Sequence, residues 1–377
     1  IRQQTLILAR DRLGKKPLYY ALDSEGITFG SELAVVLQDR RVDTTLDEVA
    51  IDLYLNYMFI PHPRTVFRGV RQLPPASCAR FCLGEFSTFR YWSPAQSADA
   101  FIGDENEAEQ HLDGLLADAV QERMVADVPV GALLSGGLDS SLITAYMTRV
   151  AGDVRTFSIG FEEESFSELA YARSVASALG TRHDEFVVSY DVQNLIPKLL
   201  DHFGEPFADS SAIPMYFLSK MARKHVTVAL SGDGADEVFA GYRRYSADLW
   251  AREYDALLPK SVRNLVESAA EWVPEPSVYY GRSVRKKVKR FLEFARARRQ
   301  SPMSSWAFFF LNEERRSLFT REFREQIENG EYHAQYEGYR SELADSDNRL
   351  SVIDQLSYLP DDILVKVDRM SMASSLE

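Results

Sequence analysis

Two glycine-rich loops, each placed directly after a short apolar run, restrict this chain more than any other feature. The first is SGGLDSS (residues 135–141) after PVGALL, and the second is SGDGADE (residues 231–237) after VTVAL. Apolar runs of this length read as strands covered on both faces. Between the loops the pattern alternates. SLITAYMTRV reads as helix, VRTFSIGF as strand, FSELAYARSVASALG as a helix ending at Gly180, and DEFVVS as strand. Residues 191–203 and 212–224 read as further helices. This alternation predicts an α/β fold with a doubly wound, mostly parallel sheet, whose ligands sit beyond the carboxyl ends of the strands.

Both loops are suited to phosphate. Their small residues let backbone N–H groups come close, Ser135 and Ser140 add hydroxyl donors, and the first loop opens a helix whose N-terminus favours an anion. Each also carries a carboxylate, Asp139 and Asp236. Carboxylates repel phosphates unless a cation lies between them, so the pair predicts Mg²⁺. The GxxxxGK[ST] loop of common NTPases is missing from the sequence. Lack of its lysine suits cleavage between the α- and β-phosphates.

The flanking regions read differently. Residues 1–40 form a small β unit: TLILA, LYYAL and ITFG with turns between them, followed by a helix start at Ser31 and Glu32. Residues 41–105 read as a linker region with a helix near 46–60, the Pro-punctuated stretch IPHPRTVFRGVRQLPPAS, and strands near 78–83 and 86–91. DENEAEQHLDGLLADAVQERM is an amphipathic helix with an acidic start. Past residue 243 the pattern is helical. WAFFFL (residues 306–311) is expected in a core rather than a ligand box, and the basic run RSVRKKVKRFLEFARARR (residues 282–299) as a solvated helix with Val284, Val288, Phe291 and Phe294 on one face, a patch facing polyphosphate being the alternative.

The net charge of −13 opposes nucleic acid and anionic membrane, so neither is an expected partner. No run of 18 uncharged apolar residues is present. Cys78 and Cys82 would lie about 13 Å apart along one face of a strand, too far for a disulfide. A cytoplasmic setting is expected. The chain opens without Met and closes on SMASSLE inside continuing pattern, so a longer parent polypeptide is expected.

SGGLDSS resembles the pyrophosphate loop of the N-type ATP pyrophosphatases. DVPVGALLSGGLDSSLI, TFSIGF, LGTRHDEF, GEPFADSSAIPMYFLSK, VALSGDGADEVFAGYRRY and LPDDILVKVDRMSMASSLE are similar to glutamine-hydrolysing asparagine synthetases. ARDRLGKKPLYYA and ITFGSEL resemble the end of that family's glutaminase domain. The resemblance implies an adenine nucleotide alpha hydrolase-like sheet with a helical C-terminal portion and a small N-terminal β remnant. It implies three parts: a glutaminase tail (1–40), a linker region (41–105) and a truncated ATP-pyrophosphatase domain (106–377).

It also assigns roles. Leu133 and Ile159 match strand ends bordering the ATP nucleoside; Ser135, Gly136, Gly137, Asp139 and Ser140 match the phosphate loop. Ser231 and Gly232 match the second nucleotide turn, and Asp139 and Asp236 the magnesium-binding aspartates. Asp233 stands where bacterial relatives have a glutamate important for acyl-adenylate formation, so its shorter carboxylate favours a metal-side or positioning role over direct proton transfer. Asp209, Ser210 and Ser211 are acceptor-pocket candidates, with a helix N-cap cluster as the alternative. His183 reads as structural, and Lys366, Asp368 and Arg369 either approach the active site or, the favoured reading, decorate a helix. The implied reaction uses ATP and Mg²⁺ to convert aspartate to asparagine through β-aspartyl-AMP, with ammonia from glutamine. The family's glutaminase nucleophile is an N-terminal cysteine, which neither Cys78 nor Cys82 matches. A homodimer remains open. So do another acceptor (a sugar acid or peptide carboxylate), a tRNA-modifying pyrophosphatase and a silent nucleotide-binding paralogue. The acidic charge and lack of zinc-ligand clusters argue against the second of these, and the two aspartates against the third.

Overall fold

A computed structural model describes residues 4–94, 103–162, 167–188, 192–271, 284–300, 312–328 and 349–377. The N-terminal strands are β1 (Thr5–Ala9), β2 (Tyr19–Leu22), β3 (Ile27–Gly30), β4 (Val70–Gln72), β5 (Ser77–Cys82) and β6 (Glu85–Arg90). They form two antiparallel three-stranded sheets, ordered β1-β5-β6 and β3-β2-β4. Side chains alternate along a strand, so β2 serves two cores at once. Tyr19 and Ala21 pack with Leu33, Val36 and Val70, whereas Tyr20 packs with Leu8, Leu73 and Ala79. Each sheet joins a strand from before residue 40 to one from after residue 69, so residue 40 is no structural boundary. Local pattern shows strands but not which of them pair.

The helix Glu48–Tyr57 begins where the Asp47 carboxylate accepts from the N–H groups of Val49 and Ala50. The helix Glu105–Arg123 begins with a capping box between Asp104 and Glu107. Past it lie the parallel strands β7 (Val130–Leu133), β8 (Arg155–Phe161), β9 (Arg182–Val188) and β10 (Val228–Leu230), in the order β10-β7-β8-β9. From β7 the chain winds outward through β8 to β9, then returns to place β10 on the other side of β7. The order therefore reverses between β7 and β10, which is where such sheets open a crevice.

Both faces of this sheet are covered, as a doubly wound fold requires. On one face Ala132 packs with Val120, Tyr146, Met147 and Val154. On the other, Phe157 packs with Ala222, Val226 and Leu376. Leu376 belongs to the last turn of the chain, where the Glu377 carbonyl accepts from Ala229 N at 2.7 Å beside β10.

The C-terminal portion is helical as expected. In the helix Val284–Gln300, Phe294 joins a core with Ala247, Ala251 and Ala295, and Phe291 packs against it. Val288 is exposed, so the expected apolar stripe is shorter than its spacing implied. Arg299 is paired with Glu267 at 2.6 Å and Asp255 at 2.8 Å, so this end of the basic run faces protein as well as solvent. The segment 306–311 lies outside the described residues. Among the described residues no helix is long and apolar enough to cross a membrane.

Candidate active site

The first loop is tightly constrained. Gly136 has a φ of +83°, and a Cβ there would lie 2.4 Å from Ala172 N. Only glycine meets both conditions. Ser135 Oγ accepts from Gly137 N at 3.2 Å and lies 3.0 Å from Ser140 Oγ, while Ser135 N donates to Ser140 Oγ at 3.2 Å. These bonds curl the loop over the start of the helix Leu138–Ala151. Gly137 caps that helix without a side-chain hydrogen bond, so its first N–H groups stay available to an anion.

The second loop lies against the first. A Cβ on Gly232 would come 2.9 Å from Ser140 N and 3.0 Å from Asp139 Cβ. Gly234 (φ +94°) turns the chain into the short helix Ala235–Phe239, which carries Asp236. A cavity of about 300 Å³ opens at this junction, beyond the carboxyl ends of β7 and β10.

The expected nucleotide residues converge there. Leu133, Ser135, Gly137, Asp139, Ser140, Ile159, Ser231, Gly232 and Asp233 line the cavity. Gly136 does not, because it is wedged against Tyr171 and Ala172. Asp236 is also absent from the lining but lies close enough to act on Asp139. Burial pushes the Asp139 carboxyl above its usual range, and repulsion from Asp236 adds to this. Behind Asp236, Tyr242 donates to the buried Glu237 at 2.7 Å, and Ser351 and Gln355 both donate to the Glu237 carbonyl. These bonds anchor the turn to the C-terminal helices.

The acceptor candidates form a separate cluster that does not line the cavity. Asp209 accepts from Ser211 N at 2.9 Å, Ser211 Oγ at 2.7 Å and Lys366 Nζ at 2.9 Å. Burial pushes the Asp209 carboxyl up, but Lys366 and the Ser211 donors outweigh it and hold it below its usual range. Ser211 is the N-cap of the helix Ala212–Ala222 yet makes no side-chain cap bond. Ser210 is exposed.

Asp362 sits nearby on a single π turn, Leu359–Ile363. Burial, then repulsion from Asp209, pushes its carboxyl to about 7 against the opposing pull of Lys366. Its Oδ1 has no hydrogen-bond partner among the described residues. The π turn reaches the nucleotide loops, because a Cβ on Gly234 would lie 3.4 Å from Leu359 Cδ1.

The helix Leu364–Met372 corrects one expectation. Lys366, Asp368 and Arg369 are buried, and none of them decorates a surface. The helix runs between the α/β layer and the N-terminal sheets, so Lys366 meets Asp209, Asp368 meets Lys16 at 2.9 Å, and Arg369 donates to Ser31 O at 3.2 Å. His183, expected to be structural, lies outside the cavity lining. Its Nδ1 lies 2.9 Å from Thr156 Oγ1, and burial lowers its pKa. Cys78 and Cys82 are unbridged.

The family Asparagine synthase matches residues 111–377. This chain belongs to the asparagine synthase family. The family Glutamine amidotransferase domain matches residues 1–92, which take in both N-terminal sheets. Asparagine synthetase [glutamine-hydrolyzing] 1 of Bacillus subtilis (strain 168) is 32% identical over 370 residues, covering 98% of this chain and 56% of its own length. A putative asparagine synthetase [glutamine-hydrolyzing] of Mycobacterium tuberculosis (strain ATCC 25618 / H37Rv) is 35% identical over 379 residues, covering 99% and 56%. The chain thus spans little more than half the length of these relatives. Among solved structures, the NH3-dependent NAD synthetase from Campylobacter jejuni aligns with 30% of this chain and 48% of its own. Its 16% identity and TM-score of 0.22 are too slight to bear on fold or site.

For this asparagine synthase family member, sequence reasoning missed several cavity residues: Leu134, Ser158, Glu168, Ala172, Met215 and Leu218. Met215 and Leu218 lie three apart on one helix face, a spacing that signals a shared surface without saying what it faces. Ser158 donates to Leu134 O across neighbouring strands, which no local motif announces.

Proposed function

We propose that this chain is the ATP-using part of an enzyme that amidates a carboxylate. The reaction is aspartate to asparagine through β-aspartyl-AMP, with ammonia drawn from glutamine by the amidotransferase part. The observation that carries this reading is the contact of the two glycine loops at the point where strand order reverses, with Asp236 near enough to Asp139 to repel it.

In this reading Leu133 and Ile159 border the nucleoside. The Ser135 and Ser140 hydroxyls and the N–H groups opening the helix hold the phosphates, with Ser231 and Gly232 on the opposite wall. A carboxylate oxygen of the acceptor attacks the α-phosphorus, and the α–β bridging bond breaks with its electron pair leaving on pyrophosphate. Ammonia nitrogen then attacks the acyl carbon, the acyl–oxygen bond to AMP breaks, and nitrogen loses a proton. Asp233, on the cavity wall, positions the reacting acyl phosphate. The donor set fits a hard divalent cation: Asp139 and Asp236 repel one another when ionised together, and a cation between them removes that repulsion. Asp139 and Asp236 would hold Mg²⁺, which when bound would supply charge neutralisation to the departing pyrophosphate. Asp209, Ser211 and Lys366 hold the acceptor, offering both signs of charge to an amino acid.

The test is exchange of labelled pyrophosphate into ATP by the full-length parent protein. Exchange that depends on aspartate supports the reading. Formation of ADP and phosphate in its place overturns it.

A further inference from the structure

The loop of residues 58–66 leaves the N-terminal sheets and grips the α/β part at three points. The Met58 carbonyl accepts from Ala208 N at 2.9 Å. Val66 N donates to Glu205 Oε2 at 3.0 Å. Between them, His62 Nδ1 lies 2.8 and 2.9 Å from the two carboxylate oxygens of Asp361, and His62 N donates to Oδ2 at 3.3 Å. The ends of the loop thus fix residues 205 and 208, and its middle fixes residue 361. These positions flank the Asp209–Lys366–Asp362 cluster on both sides, since Asp209 follows Ala208 and Asp362 follows Asp361.

The His62–Asp361 contact is sealed, with the two side chains 2% and 0% exposed. Facing a carboxylate, Nδ1 must carry the proton, so the tautomer and ring orientation are set. Without the His62 ring the buried Asp361 carboxylate would keep, among the described residues, only the longer backbone N–H contact at 3.3 Å, so alternative placements of the π turn are disfavoured while the ring is there. Successive side chains of the turn point apart. Asp361 is held by the loop while Asp362 meets Tyr358 and Lys366.

We propose that the loop 58–66 is the template that sets the spacing between Asp209 on one side and Asp362 and Lys366 on the other, with His62 as its positioning residue. The N-terminal part thereby builds the acceptor subsite without lining it. The proposal rests on the reading of that cluster as the acceptor subsite.

The experiment uses the full-length parent protein with ammonia as nitrogen source and aspartate as acceptor. In His62→Ala, the KM for aspartate should rise at least about tenfold while the KM for ATP stays within about twofold, because among the described residues the nucleotide loops meet the π turn only through the apolar Leu359–Gly234 contact and not through Asp361 or Asp362. His62→Asn, whose side-chain amide takes the place of the Nδ1–H donor, should restore most of the aspartate affinity. Asp361→Asn keeps the side-chain volume but sets an amide against a donor, so it should reproduce the aspartate defect if His62→Ala does not fold. Hydrogen exchange at residues 205–211 and 359–368 should quicken in His62→Ala and return in His62→Asn. An unchanged aspartate KM, or an equal rise for ATP, overturns the proposal. So does unchanged local exchange, which needs no turnover and decides the template even if the wild type fails to use aspartate. That last failure would instead overturn the functional reading.

Discussion

Gly232 and Asp139 each make a prediction from a single atom's surroundings. A methyl group at Gly232 would press on Ser140 N and Asp139 Cβ at about the closest approach atoms allow. Both neighbours are short and belong to the loop backbone or its first side-chain carbon, so neither can swing away. Gly232→Ala should therefore separate the loops and lower pyrophosphate–ATP exchange by at least about tenfold, with circular dichroism unchanged. Asp139→Asn should do two opposite things. Removing a carboxyl that burial and Asp236 both hold above its usual range should raise the melting temperature of the ligand-free protein. It should also abolish most synthesis, by about a hundredfold or more, through loss of magnesium-linked charge stabilisation. A variant that keeps full synthesis would remove Asp139 from the metal site. These loop residues were legible because glycine, serine and aspartate after a buried strand have few other uses. Lys366 was not: a lysine on a helix is ordinarily solvated, and its burial comes from Asp209, 157 positions away.

At the scale of elements, strand and helix positions were readable and pairings were not. β7 to β10 fall where apolar runs indicated, but the order β10-β7-β8-β9 comes from the return of the chain after β9. In the N-terminal sheets, β2 pairs with β4 across nearly fifty residues of intervening chain, with Tyr19 opposite Gln72, so a boundary at residue 40 looked natural from local pattern alone. The π turn Leu359–Ile363 gave no signal beyond Pro360 in an otherwise helical stretch. Where local signals were complete, structure followed them: DENE opens the helix Glu105–Arg123 with a reciprocal Asp104–Glu107 cap. Asp104→Ala removes one acceptor from an orphan N–H, and should cost about 1 kcal/mol in urea unfolding. That helix packs on Leu138–Ala151 away from the cavity, so the KM for ATP should stay within about twofold. A larger kinetic effect would mean that the helix helps place the first loop.

Across the whole molecule, the two parts are joined through polar contacts withdrawn from solvent, and this junction should make stability depend on pH. Glu205 accepts from Val66 N of the N-terminal part and sits near Arg369 and Asp361. Burial pushes its carboxyl from 4.5 up to about 7. Repulsion from Asp361 adds to this, while the Val66 N–H and Arg369 oppose it and lose. The folded state therefore binds this proton more tightly than the unfolded chain does. Below about pH 4.5 both states are protonated and Glu205 has no effect. Between 4.5 and 7 the unfolded chain ionises first, so stability falls as pH rises, and above 7 the loss is complete. The full span corresponds to about 3 kcal/mol at most. Glu205→Gln keeps the shape and cannot ionise, so its stability relative to wild type should climb between pH 4.5 and 7 and then level off. Asp362, also near 7, lies in the same window, and Asp362→Asn added to Glu205→Gln should flatten the profile further. Urea unfolding of both variants at half-unit pH steps measures this. A difference between Glu205→Gln and wild type that stays constant with pH would show that Glu205 is ionised in the folded protein, held so by Arg369 across the junction.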